Sequence, residues 1–170
     1  GHGEATARPI PRPQGTAIVR IGGLTAAMTG ENRQALDAAG TRYFTVHTHA
    51  NQHAGYFPGA QPVHILMHVG TDGQILGAQA VGADGVDRRI DVIATAMRAG
   101  LKATDLIDLD LAYAPPYGQA KDPVNQTGMV AHNVLTGELV LTGPDALTED
   151  MPVLDVRTVG EYAAGHMPNS

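Results

Sequence analysis

Three side chains able to make polar contacts with a partner surface sit outside the periodic segments of this chain. They are Tyr56 in "HAGYFPGA", Tyr113 in "AYAPPYG" and Lys121 in "GQAKDP". Tyrosine is scarce, with five in 170 residues beside two phenylalanines, and three of the five, Tyr56, Tyr113 and Tyr117, stand on two Tyr-Pro loops. One such ring could merely shelter the end of a sheet. Two such loops, with Lys121 close by, make a contact surface a competitive reading, because tyrosine offers a flat apolar face and a hydroxyl.

Other chemistries are poorly supplied. There is no cysteine, which removes disulfides, thiolate-ligated metals and any thiol nucleophile within these residues, and the single serine is the terminal Ser170. His47 and His49 share one face of a strand and His53 follows closely, a spacing that permits a metal pair. No HExxH and no carboxylate at a diagnostic offset accompanies them, so they read as solvent-facing strand histidines and a loop histidine. A stand-alone metal-binding or interaction module built on those three is the rival reading; the favoured one holds no metal. His64 and His68 alternate with apolar residues. Gly77, Gly82 and Gly85 precede a helix but do not form GxGxxG, and the strand before them belongs to a hairpin, so no nucleotide loop is read there. Arg88 and Arg89 read as helix-surface charges paired locally with Asp87 and Asp91. A net charge of −6, with no basic run longer than Arg88-Arg89, argues against nucleic acid. No stretch approaches a membrane span and no signal-peptide core opens the chain, so a cytoplasmic location is expected.

The elements that must position the tyrosines follow from pattern. "GTAIVRIGGLTAAMT", residues 15–29, predicts one or two strands bent at Gly22-Gly23. A short helix from Glu31 to about Ala39 ends at Gly40, and 41–49 has strand composition. In "PVHILMHV" Val63, Ile65, Met67 and Val69 alternate with polar or smaller partners, and Asp72-Gly73 turns the chain into "ILGAQAVG", an antiparallel hairpin. Val86, Ile90, Ile93, Ala94 and Met97 fall at helical spacing, with Asp84 as the expected cap and Gly100 as the stop. Asp122-Pro123 is an N-cap followed by proline at the first helical position, opening a helix to about Leu135 that should present Val124, Met129, Val130 and Val134 to a sheet. Three or four antiparallel strands covered on one face by two helices make an α+β fold.

Taken in order, "ILGAQAVG", "GVDRRIDVIATAM", "LDLAYAPPY" and "AKDPVN" resemble the C-terminal dimerisation domain of FAD-dependent pyridine nucleotide-disulfide oxidoreductases, closest to the coenzyme A-disulfide reductase and NADH oxidase branch. The His-Pro-Thr element of glutathione-reductase-type relatives is absent. The resemblance implies a homodimer in which the tyrosine of the HAxYYP loop, here Tyr56, and that of the YAPP loop, here Tyr113, reach the partner subunit's redox cysteine, flavin and coenzyme A. It implies that Lys121 meets coenzyme A phosphates. It also implies a parent enzyme using FAD and NAD(P)H, neither expected on this chain alone, to reduce coenzyme A disulfide, a persulfide or a polysulfide; an NADH oxidase or peroxidase is the alternative within the family. The family's second loop tyrosine is Phe57 here.

The tail "VLDVRTVGEYAAGHMPNS" is similar to the opening of a rhodanese domain, xxDVRxxxEYxxGHIPGA. Asp155, Arg157, Glu161, Gly165 and His166 fit; Met167, Asn169 and Ser170 depart from it. The expected organisation is therefore an arm with a tag remnant at 1–14, treated as disordered, then a dimerisation domain at 15–135. A linker at 136–152 and the start of a rhodanese domain at 153–170 would follow.

Overall fold

The computed structural model describes residues 10–143, 146–148, 150–167 and 170. The chain divides into two compact units, Gly1–Leu139 and Val140–Ser170. In the first, five strands form one antiparallel sheet in the order β1-β2-β5-β4-β3. They are β1 (Ala17–Ile21), β2 (Leu24–Gly30), β3 (Tyr43–Asn51), β4 (Pro62–Gly70) and β5 (Ile75–Gly82). The helices are α1 (Arg33–Ala38), α2 (Val86–Ala99) and α3 (Pro123–Leu135), with a 3-10 turn at Ala103–Asp108. The α+β class is as expected, with one strand more than the pattern suggested. Gly22 adopts φ 59° in the turn, which lets β1 and β2 pair directly, Ile21 opposite Leu24.

The core lies on one side of the sheet. In β4, Ile65 and Met67 stand opposite Ala80 and Ala78 of β5, large against small, and this leaves room for α2 to settle on β5 and β2. Val86, Ile90, Ile93 and Ala96 of α2 fill that space and are at most 2% exposed. Alpha3 rests on β3 and on the 3-10 turn. Its buried stripe is Val124, Thr127, Gly128 and Ala131, whereas the expected Met129, Val130 and Val134 are only half-buried. The reason is steric. A Cβ on Gly128 would stand 2.9 Å from both the Ala103 carbonyl oxygen and Leu106 Cβ, so the smallest residue defines the contact line. Helix α2 departs from expectation at its start: Gly85 is the N-cap, at φ 70°, and Asp84 accepts only the Gly85 amide. Gly100 stops it as expected.

The other sheet face carries Val19, Ala26, Val81, His64 and His49 in one register row, and Met28, Gln79, Leu66 and His47 in the next. Val19, Ile21, Leu24 and Val81 are exposed there, which makes this face apolar. No helix among the described residues is long and apolar enough to cross a membrane.

In the second unit, a short helix α4 (Val159–Ala164) is capped by the Thr158 side chain, with Glu161 bonded back to the Thr158 backbone. Arg157 bonds Asp155 at 2.6 Å and the Gly165 carbonyl at 2.8 Å, and His166 stacks on Tyr162. The guanidinium lowers the Asp155 carboxyl to about 2. Asn169 lies outside the described residues.

Candidate active-site surface on the tyrosine loops

Tyr56 stands on the connection from β3 to β4. That loop is closed at its base by the Gln52 amide donating to the Gln61 carbonyl at 2.9 Å and by the Gln52 side chain accepting from the Gln61 amide. His53 is buried beneath it, 7% exposed, with its ring edge-on to Phe57. His53 is a loop histidine as expected, and its side chain faces inward. His49 instead pairs with His64 across β3 and β4, Nδ1 to Nδ1 at 2.7 Å. His47, His49 and His53 do not converge, and among the described residues no group of three or more His, Cys, Asp or Glu is arranged to hold a metal.

Tyr113 stands on the connection from the 3-10 turn to α3. Pro115 and Pro116 stiffen this segment, and Tyr117 and Gly118 donate their amides to the Ala114 carbonyl to close a turn. Its entry is held by Asn125, whose amide reaches the carbonyls of Leu106 at 2.9 Å and Leu109 at 3.0 Å. Its exit is held by Asp122, the N-cap of α3, which accepts from the Val124 amide. Lys121 immediately precedes that cap and is exposed.

The two loops bring their phenols together. Tyr56 and Tyr113, 57 residues apart in sequence, stand hydroxyl to hydroxyl at 3.3 Å, with the rings 78% and 48% exposed. The hydrogen bond to Tyr113 raises the Tyr56 phenol above its ordinary value, so the Tyr56 hydroxyl holds its proton at neutral pH. One phenol donates to the other, which leaves a proton facing solvent and able to bond an anion placed there.

The arginines are where the sequence reading fails most clearly. Arg89 is 1% exposed and paired with Asp122 through contacts of 2.8 and 3.3 Å, and it donates to the Gln52 carbonyl at 2.5 Å. It is a buried tie between both loops rather than a surface charge with a local partner. Arg88 reaches the carbonyls of Ala112 at 2.7 Å and Tyr117 at 2.9 Å, again far from Asp87 and Asp91 in the bonds it makes. A signal for Arg89 did exist. It lies three residues after Val86 and four before Ile93, on the buried stripe of α2.

Residues 16–123 match the family model of the pyridine nucleotide-disulphide oxidoreductase dimerisation domain. A coenzyme A disulfide reductase of Staphylococcus haemolyticus is 39% identical over 121 residues, covering 71% of this chain and 27% of that protein. A Staphylococcus aureus enzyme of the same name is 43% identical over 90 residues, 52% of this chain and 20% of the relative. Among solved structures, reduced Bacillus anthracis CoADR-RHD aligns with TM-score 0.72 at 50% identity, over 73% of this chain and 22% of that one. A NAD-dependent persulfide reductase from A. fulgidus aligns with TM-score 0.72 at 42% identity, over 75% and 24%. The chain thus spans about a quarter of the length of these proteins. A water-forming NADH oxidase of Lactobacillus brevis, at 17% identity and TM-score 0.70, shares the fold. By its sheet, its helices and the match over 16–123, the chain belongs to the pyridine nucleotide-disulphide oxidoreductase family and contains its dimerisation domain.

Proposed function

We propose that this chain is the dimerisation domain of a homodimeric flavoprotein that uses NAD(P)H to reduce coenzyme A disulfide, a persulfide or a polysulfide, and that it lends Tyr56 and Tyr113 to the partner subunit's active site. The observation carrying this reading is the meeting of the two phenols at 3.3 Å on an exposed surface, each delivered by a separately braced loop. When bound, FAD and NAD(P)H supply the electron pair that cleaves the sulfur–sulfur bond. The sulfur leaving as an anion needs a proton or a hydrogen bond, and a pair of phenols is fitted to give one. Lys121 offers its ammonium to a phosphate of coenzyme A a few residues from Tyr113. The apolar sheet face bearing Val19, Ile21, Leu24 and Val81, or the helices behind it, supplies surface for two-fold pairing. The tail, in which Arg157 joins Asp155 to the Gly165 carbonyl, Glu161 bonds Thr158 and His166 bonds the Tyr162 carbonyl, would open a rhodanese-like domain.

In the parent enzyme, Tyr113→Phe should retain flavin and dimer while slowing reduction of the disulfide substrate by ~10²–10⁴, with flavin reduction by NAD(P)H unchanged. Lys121→Ala should mainly weaken coenzyme A binding. Lower stability at unchanged turnover in Tyr113→Phe would mean that the ring only shelters the sheet end. The chain alone should bind no flavin and turn over no disulfide; a yellow, FAD-containing preparation would contradict this.

A further inference from the structure

Arg88 and Arg89 are consecutive residues in the first turn of α2; Arg89 reaches both loops, and Arg88 makes its two carbonyl bonds in the Tyr113 loop alone. Arg89 holds the base of the Tyr56 loop through the Gln52 carbonyl. Arg88 holds the Tyr113 loop at two points on either side of the double proline, the Ala112 carbonyl through Nη2 and the Tyr117 carbonyl through Nη1. We infer that Arg88 is a positioning residue, a two-pronged clamp that sets the Tyr113 hydroxyl against that of Tyr56. This rests on the reading of the two tyrosines as the reactive pair.

The chemistry of the loop explains why an outside donor is needed. Pro115 and Pro116 have no amide hydrogen, so the segment offers carbonyls with few donors of its own to meet them. A guanidinium presents parallel N–H groups in a fixed plane and can hold two carbonyls at a set spacing, which a single ammonium cannot do with the same geometry. Ala112 directly precedes Tyr113, so its carbonyl fixes the peptide plane from which the ring departs. Because Arg88 and Arg89 share one helical turn, the two loops are referred to a common rigid base. Arg88 is partly exposed and contributes nothing to the core; it stands 4.0 Å from Asp122, whereas Arg89 makes its own 2.8 Å contact there, so that buried pair should survive a change at Arg88.

The test is a pH titration of the tyrosine ring carbon bearing the hydroxyl, followed by NMR in this chain, in Arg88→Met and Arg88→Lys, and in Tyr113→Phe as the reference for a lost phenol pair. In the unaltered chain Tyr56 should titrate above the ordinary value of 10.0. In Arg88→Met it should return to the position it has in Tyr113→Phe, and Arg88→Lys should fall between. A Tyr56 titration in Arg88→Met that matches the unaltered chain overturns the clamp, whatever the parent enzyme does. Should Arg88→Met fail to fold, Arg88→Lys decides: a Tyr56 titration identical to the unaltered chain overturns the inference, and a partial return supports it. Activity is read separately in the parent enzyme. A lost phenol pair in Arg88→Met with full turnover in both Arg88→Met and Tyr113→Phe leaves the clamp standing and removes the catalytic reading of the tyrosines.

Discussion

The sheet beneath α2 and the end of the domain that carries the tyrosines are held together by different forces. Under α2 and α3 the contacts are mainly Val, Ile, Leu, Met and Ala against one another, non-directional and proportional to the area removed from water, with one buried Thr48–Thr127 hydrogen bond beneath α3. At the loop end they are side chain to carbonyl, Arg88 to Ala112 and Tyr117, Arg89 to Gln52, Asn125 to Leu106 and Leu109, and Gln119 to Asn51, together with the Arg89–Asp122 ion pair. Area tolerates small displacements. A hydrogen bond to a named carbonyl does not, and two hydroxyls can be kept within bonding distance on exposed loops only by contacts of the second kind. The comparison teaches that the core sets where the loops begin, and the polar ties set where the tyrosines end.

The sharpest way to break this contrast is to strand the buried guanidinium. Asp122→Ala leaves Arg89 without its counter-ion and removes the cap of α3, and should cost about 3–5 kcal/mol in urea unfolding. Ile65→Ala in the core should cost about 2–5 kcal/mol in the same assay while leaving the Tyr56–Tyr113 bond intact by NMR, since the cavity lies beneath the sheet and not at its end. Gly128→Ala places a methyl group against the 3-10 turn that leads to Tyr113, and should cost about 1–3 kcal/mol. If it also disturbs the tyrosine pair, core and loop end are more tightly coupled than the contrast holds. The smallest effect is electrostatic. Burial lowers the His68 imidazole, and burial with the nearby His49 lowers that of His47. Both groups bind protons more readily unfolded than folded, so stability should fall as pH drops through the ordinary value of 6.5 and level off below the folded value. Above 6.5 it should be flat in this respect. His68→Asn should remove much of that slope.

How much of this was legible follows the same division. The hairpin of β4 and β5, the helix opening at Asp122-Pro123 and the stop at Gly100 are local matters of period and capping, and they stand where the pattern puts them. The buried face of α3 was misjudged because large apolar residues were taken as the contact line, whereas Gly128 and Thr127 make it by being small or internally bonded. Tyr56 and Tyr113 could be singled out by type and loop position, but not their meeting, since that depends on the path of two connections. Three ties of Arg88 and Arg89 run 24 to 37 residues along the chain to backbone carbonyls, which every residue owns and no sequence motif marks, and the fourth runs 33 residues to the Asp122 carboxylate. Their local acidic neighbours Asp87 and Asp91 were a plausible decoy, and only the place of Arg89 on the α2 stripe pointed elsewhere.

The central claim is that these tyrosines serve the partner's site, and a mixed dimer of the parent enzyme tests it most directly. One subunit would carry Tyr56→Phe and Tyr113→Phe, and the other would lack its redox cysteine, the two being purified together on separate tags. Each homodimer is inactive on the disulfide. If the tyrosines act across the interface, the mixed dimer unites an intact cysteine with the partner's intact tyrosines at one of its two sites, and about half of the original turnover returns. If they act within their own subunit, neither site is complete, the mixed dimer is as inactive as its parents, and the account is contradicted.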